Sequence, residues 1–306
     1  MARPALLNER HKPSGEQIEL ELGDQRVVVV EVGGGLREYA AGGRAVLDGY
    51  DEDELCSSGR GQLLIPWPNR IADGRYEFDG RVEQLPLDEP ERGNAIHGLV
   101  RWAAWGVAER RRDRVVMEYL LHPRPGYPFT LALRVEYALE GDGLTVRTEA
   151  TNVGDETCPY GAGVHPYLAG ANGSVDELTL TVPADTVLES DERGLPVAAR
   201  PVEGTDFDFR FPKPVGRLRL DHCFGGLARE DDGRAWVRLG NGTSLWADRS
   251  FDYLMVFSGD GLPDVERRSL AVEPMTCPPN AFRSGEGLVR LDPGETHVAT
   301  WGLSAA

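Results

Sequence analysis

The chain has 306 residues, of which 41% are hydrophobic and 27% are charged, and its formal net charge is −17. These proportions are typical of a globular protein and exclude a disordered or fibrous chain. The negative charge also argues against nucleic acid or an anionic membrane surface as a partner, because both would be repelled.

The sequence carries no signal for export or membrane insertion. Residues 1–20 lack the apolar segment of a secretory signal, and no apolar run approaches the length of a membrane-spanning helix. The four cysteines, Cys56, Cys158, Cys223 and Cys277, are far apart and form no CxxC pair, which is typical of reduced thiols. We therefore expect a cytoplasmic protein.

Alternation of apolar and polar residues, the period of a β-strand, recurs along the whole chain. Turn sequences that tolerate a positive φ separate several of these runs, which predicts hairpins. The predicted hairpins have their turns at residues 79–80, 140–143 and 240–242, and further strands are predicted at 178–182, 287–291 and 296–301. No helical period extends beyond about three turns, the length of an average helix. This predicts an all-β chain with few short helices.

Two irregular stretches have simple interpretations. The basic run at 109–114 is predicted to be a solvated hairpin tip rather than a partner surface. The stretch at 189–214, rich in proline, aspartate and phenylalanine, is predicted to be a long surface loop. Without a linker to divide it, residues 1–306 are predicted to form a single domain.

Signatures of the common enzyme classes are absent. The sequence has no GxxxxGK[ST], GxGxxG, HExxH or GxSxG motif, which argues against the usual nucleotide, zinc-protease and serine-hydrolase sites. Polar residues in apolar surroundings are therefore the best guide to a site.

Asn69 and Arg70 follow a tryptophan between two prolines, and their side chains are donors suited to hydroxyl oxygens. A structural arginine that binds backbone carbonyls is an equal alternative. His97 lies in an apolar segment that is predicted to be a strand, where a satisfied core histidine is the simpler interpretation.

His165 is preceded by small residues and followed by Pro166, which predicts that it lies at a strand end and faces a ligand. Glu273 interrupts an apolar strand, and burial of a carboxyl group raises its pKa toward that of a useful base. Asp221 adds a further carboxylate.

Together these residues predict a site that binds hydroxyl groups and contains one acid–base pair. Trp67, Tyr167 and Phe224 are candidates for stacking on a sugar. Two alternatives remain open at this point. Cys158 or Cys277 could act as a nucleophile with His165, and His97, His165 and Glu273 could bind a metal ion.

The order of short motifs resembles the aldose 1-epimerase (galactose mutarotase) family over nearly the whole chain. The matching segments are PNRIADG at 68–74, IHGL at 96–99, GYPF at 126–129, VHPY at 164–167 and VEPMT at 272–276. The resemblance implies a β-supersandwich of large antiparallel sheets, a sugar bound in an open cleft, and no cofactor. It leads us to expect a small-molecule sugar as the partner and a monomer or homodimer.

The resemblance also implies roles for these residues. His165 would be the general acid and Glu273 the general base, while Asn69, Arg70, His97 and Asp221 would position the sugar. The implied activity is interconversion of the α and β anomers of a free hexose by ring opening. Two other functions remain open: a hexose-6-phosphate 1-epimerase, which needs a local arginine cluster, and a non-catalytic sugar-binding protein.

Overall fold

The computed structural model describes residues 11–305. Residues 1–10, part of the segment in which no secretory signal is expected, and residue 306 lie outside the described residues. No helix within 11–305 has the length and hydropathy needed to cross a bilayer.

The regular secondary structure of the described chain is almost all strand, with one short helix. Its elements are β1 (Gln17–Leu22), β2 (Gln25–Val30), β3 (Leu36–Ala41), β4 (Arg44–Ala45), β5 (Leu63–Leu64), β6 (Arg70–Ala72), β7 (Arg75–Phe78), β8 (Arg81–Gln84), β9 (Asn94–Ile96), β10 (Gly106–Arg110), β11 (Arg114–Leu121), β12 (Leu131–Glu140), β13 (Gly143–Asn152), β14 (Cys158–Tyr160), β15 (Gly163–Val164), β16 (Tyr167–Ala169), β17 (Thr179–Thr181), β18 (Ala184–Ser190), β19 (Pro196–Pro201), β20 (Lys213–Pro214), β21 (Asp221–Leu227), β22 (Ala235–Leu239), β23 (Thr243–Ala247), β24 (Tyr253–Phe257), β25 (Ser269–Met275), α1 (Ala281–Ser284), β26 (Val289–Leu291) and β27 (Thr296–Ala305).

Two large antiparallel sheets dominate the architecture. One has nine strands in the order β10-β11-β12-β13-β27-β23-β22-β17-β20, and the other has eight, in the order β19-β18-β21-β24-β25-β15-β5 with β16 also paired to β25. A four-stranded sheet, β1 to β4, and three strand pairs complete the fold. The predicted all-β class is confirmed, as are the hairpins β7–β8, β12–β13 and β22–β23.

The prediction for residues 189–214 was wrong in part. This stretch contains β19, which pairs with β18 at the edge of the eight-stranded sheet. Prolines at both ends of β19 made it resemble a loop, but proline is tolerated on an edge strand, where one row of N–H groups has no partner. The stretch also takes in the last two residues of β18 and the two residues of β20, and the segment between β19 and β20 is irregular.

The eight-stranded sheet separates the core from a cleft. Along β25, Leu270 and Val272 point into the main hydrophobic core, as do Leu254 and Val256 of the neighbouring β24. Because successive side chains of a strand point to opposite faces, Ala271 and Glu273 and their β24 neighbours lie on the other face. That second face forms the floor of the cleft described below.

The backbone at Gly98 packs closely against the backbone at Ile65, and a substitution of Gly98 can measure how tight this contact is. Its φ is +74°, and a Cβ atom there would lie 2.1 Å from the backbone oxygen of Ile65. Gly23, with φ +61° and nothing within 4 Å, is a matched control for the backbone cost alone. We expect Gly98→Ala to lower the free energy of unfolding by about 2 kcal/mol more than Gly23→Ala does, since overpacking adds to the strain. Urea denaturation of both variants measures this difference, and equal losses would contradict the packing argument.

Candidate active site

The pairing of β25 brings His165 and Glu273 together. β15 pairs with β25 through Gly163 and Met275, and β16 continues the same register through Tyr167 and Ala271. His165 lies between these two strands and is therefore opposite Glu273, as cross-strand neighbours are. The distance from His165 Nε2 to Glu273 Oε1 is 3.3 Å.

The imidazole of His165 is held between two neighbours. The ring of Tyr167 stacks on it with a centroid distance of 5.0 Å and an interplanar angle of 11°. The Tyr167 hydroxyl donates to the backbone oxygen of Ser58 at 3.0 Å. A Cβ atom at Gly59, whose φ is +74°, would lie 3.0 Å from His165 Cδ2, so a side chain there would press on the imidazole.

Asn69 and His97 are joined by two hydrogen bonds, one between their backbones and one to the His97 ring. The His97 N–H donates to the Asn69 carbonyl at 2.9 Å, and the Asn69 N–H donates to His97 Nδ1 at 3.3 Å. Both residues have a positive φ, 54° for Asn69 and 63° for His97, which is uncommon for non-glycine residues. Since Nδ1 accepts a hydrogen bond, the neutral imidazole of His97 carries its hydrogen on Nε2.

Arg70 is fixed by a buried ion pair. Its Nε and Nη2 donate to the two carboxylate oxygens of Glu89 at 2.8 and 2.9 Å. Asn94 Nδ2 also donates to Glu89, at 2.8 Å. Gly194 lies against the guanidinium, where a Cβ atom would be 2.7 Å from Nη1. A bidentate pair of this kind fixes the plane of the arginine as well as its charge.

These groups line one cavity of about 930 Å³. All six residues predicted from the sequence border it: Asn69, Arg70, His97, His165, Asp221 and Glu273. Asp221, the first residue of β21, is exposed at its wall, whereas His165 and Glu273 are buried, with 5% and 2% of their surface accessible. The acid–base pair therefore lies at the deep end of the cleft.

Burial controls the protonation of this pair. It lowers the pKa of His165 to about 3, and the positive charge of Arg101 adds to this effect. Burial raises the pKa of Glu273 well above 4.5, assisted by the negative charge of Asp221 and opposed by Arg70. Both shifts favour a proton on Glu273 over one on His165, whereas the roles implied by the resemblance place it on His165. The cause is desolvation: burying the neutral forms of the two groups costs less free energy than burying their charged forms.

His97 is held neutral by its surroundings. Burial lowers its pKa, and the positive charges of Arg101 and Arg70, with that of His165 when it is protonated, act in the same direction. Its ring meets that of His165 edge to face at a centroid distance of 5.3 Å. The prediction that His97 lies within a strand was wrong: it follows β9 directly, because its positive φ ends the extended backbone.

Two of the three aromatic residues predicted to stack on a sugar do not reach the cleft. Trp67 is buried in the core and packs against Phe282, and Phe224 points from β21 into the same core. Tyr167 lines the cleft, but its ring face is occupied by His165. The pairing of β21 with β24 explains Phe224, since its cross-strand neighbour Leu254 also points into the core.

The two alternative chemistries find no support in the geometry. Neither Cys158 nor Cys277 lines the cavity, and burial raises the pKa of both thiols, to about 11 and about 12. Within residues 11–305, no group of three or more His, Cys, Asp or Glu side chains is arranged to hold a metal ion. His97, His165 and Glu273 therefore do not form the metal site that their residue types allowed.

Several residues of the site were not predicted. Glu89 and Asn94 orient Arg70, while Arg101 and Trp102 line the cavity beside His97. Glu89 lies in a polar, proline-containing loop, where nothing in the sequence distinguishes it from a solvated carboxylate. Trp102 could have been found, because a tryptophan four residues beyond the His97–Gly98 pair is unusual in an exposed loop.

Comparison with known proteins identifies the family. The model of the aldose 1-epimerase family matches residues 16–304, and the chain belongs to this family. It is 37% identical over 288 residues to the uncharacterized protein YihR of Escherichia coli (strain K12), covering 93% of this chain and 91% of that one. It is 32% identical over 194 residues to galactose mutarotase of Homo sapiens, covering 60% of this chain and 54% of that enzyme.

Solved structures show the same fold. An aldose epimerase homologue from C. elegans superposes with a TM-score of 0.84 at 21% identity, over 95% of this chain and 98% of that one. Galactose 1-epimerase from Lactobacillus acidophilus superposes with a TM-score of 0.81 at 23% identity, over 94% and 93%. The predicted supersandwich, the fold of galactose mutarotase, is thereby confirmed.

The raised pKa of Glu273 predicts how stability depends on pH. Below the ordinary value of 4.5, both the folded and unfolded states hold the carboxyl proton, and the contribution of the neutral group is complete. As the pH rises above this value the unfolded state ionises first, so this stability is lost until the folded pKa is reached. We therefore expect Glu273→Gln to gain stability over the wild type as the pH is raised from about 5 to about 8.

Urea denaturation at several pH values measures this difference. Glu77→Gln, which removes a carboxylate from the exposed face of β7, is the matched control for loss of a charge. A difference between Glu273→Gln and the wild type that stays constant over the whole pH range would contradict the assignment of a neutral buried carboxyl group.

Proposed function

We propose that the protein is an enzyme that interconverts the α and β anomers of a free hexose by opening and reclosing the ring. The observation that carries this proposal is the 3.3 Å contact between His165 Nε2 and Glu273 Oε1 at the deep end of a cleft lined with hydroxyl-binding groups. Ring opening needs one proton delivered to the ring oxygen and one removed from the anomeric hydroxyl. An acid and a base that share one proton supply both transfers without net exchange with water.

Substrate binding supplies a hydrogen bond that favours the ionised form of Glu273. Glu273 Oε2 is buried and has no hydrogen-bond partner within residues 11–305. A sugar hydroxyl that donates to this oxygen favours the carboxylate and lowers its pKa, and Arg70 acts in the same direction. The proton then passes to His165, which becomes the acid while Glu273 becomes the base.

In this state, His165 protonates the ring oxygen and Glu273 takes the proton of the anomeric hydroxyl. The ring opens to the aldehyde, the aldehyde end rotates, and the ring closes from the other face with the two roles exchanged. Arg70 and the Nε2–H of His97 are donors for hydroxyl groups and for the oxygen of the open chain. Asn69 and Asp221 complete the set that holds the remaining hydroxyl groups.

An aldose that carries phosphate is a second candidate substrate, favoured by one observation. Two arginines that line the cleft have loose ion pairs within residues 11–305, Arg92 with Glu89 and Arg219 with Asp260, each at 3.8 Å. Such guanidinium groups can turn toward an anion. A non-catalytic sugar-binding protein has no need for the His165–Glu273 pair, which is why we favour an enzyme.

A screen for anomer exchange tests the proposal directly. Saturation-exchange NMR or polarimetry would be run on free hexoses and on their 6-phosphates, each at equal concentration. Exchange of at least one free hexose above the spontaneous rate is expected. Exchange of phosphorylated sugars alone would select the second candidate, and binding without exchange would select the non-catalytic protein.

Glu273→Gln tests the base. Glutamine keeps the shape of the side chain but cannot accept the proton, so we expect anomer exchange to fall at least about 100-fold. Sugar binding, followed by the chemical shifts of the ligand, should survive. A variant with a near-normal exchange rate would refute the proposed mechanism.

We expect His165→Asn and His97→Asn to affect different kinetic constants. A group that transfers a proton acts in the transition state, whereas a group that only donates a hydrogen bond also holds the ground state. We expect His165→Asn to lower kcat by about 100-fold or more with little change in KM. His97→Asn should raise KM and retain more of kcat. Steady-state polarimetry on both variants decides this, and the reverse pattern would mean that the two histidines exchange roles.

A further inference from the structure

The turn between β18 and β19 has a defined backbone and carries Arg193. Asp191 Oδ1 accepts from the N–H groups of Arg193 and Leu195, each at 2.9 Å. The Gly194 N–H donates to the Asp191 carbonyl, also at 2.9 Å. An aspartate that binds the backbone of its own turn in this way fixes the turn locally. The side chain of Arg193 therefore extends from an ordered base.

The guanidinium of Arg193 binds a segment that lies about a hundred residues earlier in the chain. Its Nε donates to the Arg92 carbonyl at 2.8 Å, and its Nη2 donates to the Gly93 carbonyl at 2.8 Å. Nη2 also lies 2.9 Å from Asp73 Oδ1 and 3.3 Å from Asn94 Oδ1. Several acceptors in fixed directions suit the planar fork of a guanidinium, which a lysine ammonium does not reproduce.

Asn94 connects Arg193 to the ion pair that holds Arg70. The Asn94 side chain accepts from the Arg193 guanidinium through Oδ1, while its Nδ2 donates to the Arg193 carbonyl at 3.0 Å. The same Nδ2 donates to Glu89 Oε2 at 2.8 Å, and this oxygen also accepts from Arg70 Nε at 2.8 Å. Asn94 is completely buried, so water cannot replace any of these bonds.

The turn that carries Arg193 also contacts Arg70 directly. A Cβ atom at Gly194, the next residue, would lie 2.7 Å from Arg70 Nη1. The turn and Arg70 line a chamber of about 170 Å³, together with Asp221 and His222. Arg70 is therefore held in two ways, through Asn94 and Glu89 and by contact with Gly194. Both connections depend on the position of Arg193.

We propose that Arg193 is a positioning residue that keeps the guanidinium of Arg70 in the orientation needed to bind the sugar. This inference rests on the proposed function, because it assumes that Arg70 donates hydrogen bonds to the substrate. Arg193 is not one of the described residues that line the cleft, so it acts through Arg70 and not on the sugar itself. A displacement of about 1 Å in a positioning group is enough to slow a reaction by about 100-fold.

Steady-state anomer exchange would be measured for the wild type, Arg193→Ala and Arg193→Lys with the hexose that exchanges fastest. We expect Arg193→Ala to lower kcat/KM by about 10-fold, because Arg70 is no longer held. Arg193→Lys keeps the charge beside Asp73 but not the fork of donors, so it should recover only a small part of the loss. Arg200→Ala, which removes an ion pair with Glu189 from the same hairpin, is the matched control and should leave kcat/KM unchanged.

A double-mutant cycle with Glu89→Gln separates action through Arg70 from a general loosening of the fold. If Arg193 acts through the Glu89–Arg70 pair, Arg193→Ala should lower kcat/KM little further once Glu89→Gln is present. Two independent effects would multiply instead, and that result would overturn the proposal.

The Nε–H resonance of Arg70 provides a readout that does not depend on turnover. In protein containing isotopically labelled arginine, this resonance is identified by its absence in Arg70→Lys. Its hydrogen, bonded to Glu89, should exchange slowly with solvent in the wild type and in Arg200→Ala, and at least about 10-fold faster in Arg193→Ala. An unchanged exchange rate in Arg193→Ala would overturn the positioning role. Faster hydrogen exchange in a protein that interconverts no sugar would instead overturn the proposed function, so the two failures can be distinguished.

Discussion

A carboxyl group buried in the middle of a sheet is the constraint on which this site depends. Every residue of β25 is buried, and Glu273 is the only acidic one among them. Withdrawing a carboxylate from water costs several kcal/mol unless it is paired or protonated. Here the group lies opposite His165 on the neighbouring strand, and one of its oxygens has no hydrogen-bond partner within residues 11–305. The fold thus holds in place a buried polar group that is available to a ligand, which is the kind of preorganisation that the proposed function needs.

The groups around Glu273 are oriented by contacts that do not themselves face the cleft. The ring of Tyr167 supports His165, and Glu89 with Asn94 fixes the guanidinium of Arg70. A buried ion pair of this kind adds little to stability, because desolvation offsets most of its attraction. The ion pair instead restricts the guanidinium of Arg70 to one orientation. Small errors in such positions are costly for catalysis, which explains why glycine occupies the two points of closest approach, Gly59 and Gly194.

The cleft has a buried end and a more exposed end. His165 and Glu273 lie at the buried end, and under the proposed function they act on the anomeric carbon and the ring oxygen, which every reducing pyranose presents in the same relation. The more exposed lining residues, which would meet the groups that differ between sugars, include Trp102, Leu262, Arg92 and Arg219. Membership of the aldose 1-epimerase family therefore defines the chemistry more sharply than it defines the sugar.

The sequence by itself determined the strand content and the polar residues that needed an explanation. Alternation and turn residues predict the hairpins because both are local properties of the chain. Glu273 and Asn69 are conspicuous because a polar side chain in apolar surroundings is costly. Tertiary structure alone decided which of them meet: β15, β16 and β25 share one register across more than a hundred residues of chain, and no local pattern encodes such a pairing. For the same reason only the fold could exclude Trp67 and Phe224 from the cleft and place Trp102 in it, since which face of a sheet a side chain occupies depends on what the sheet packs against.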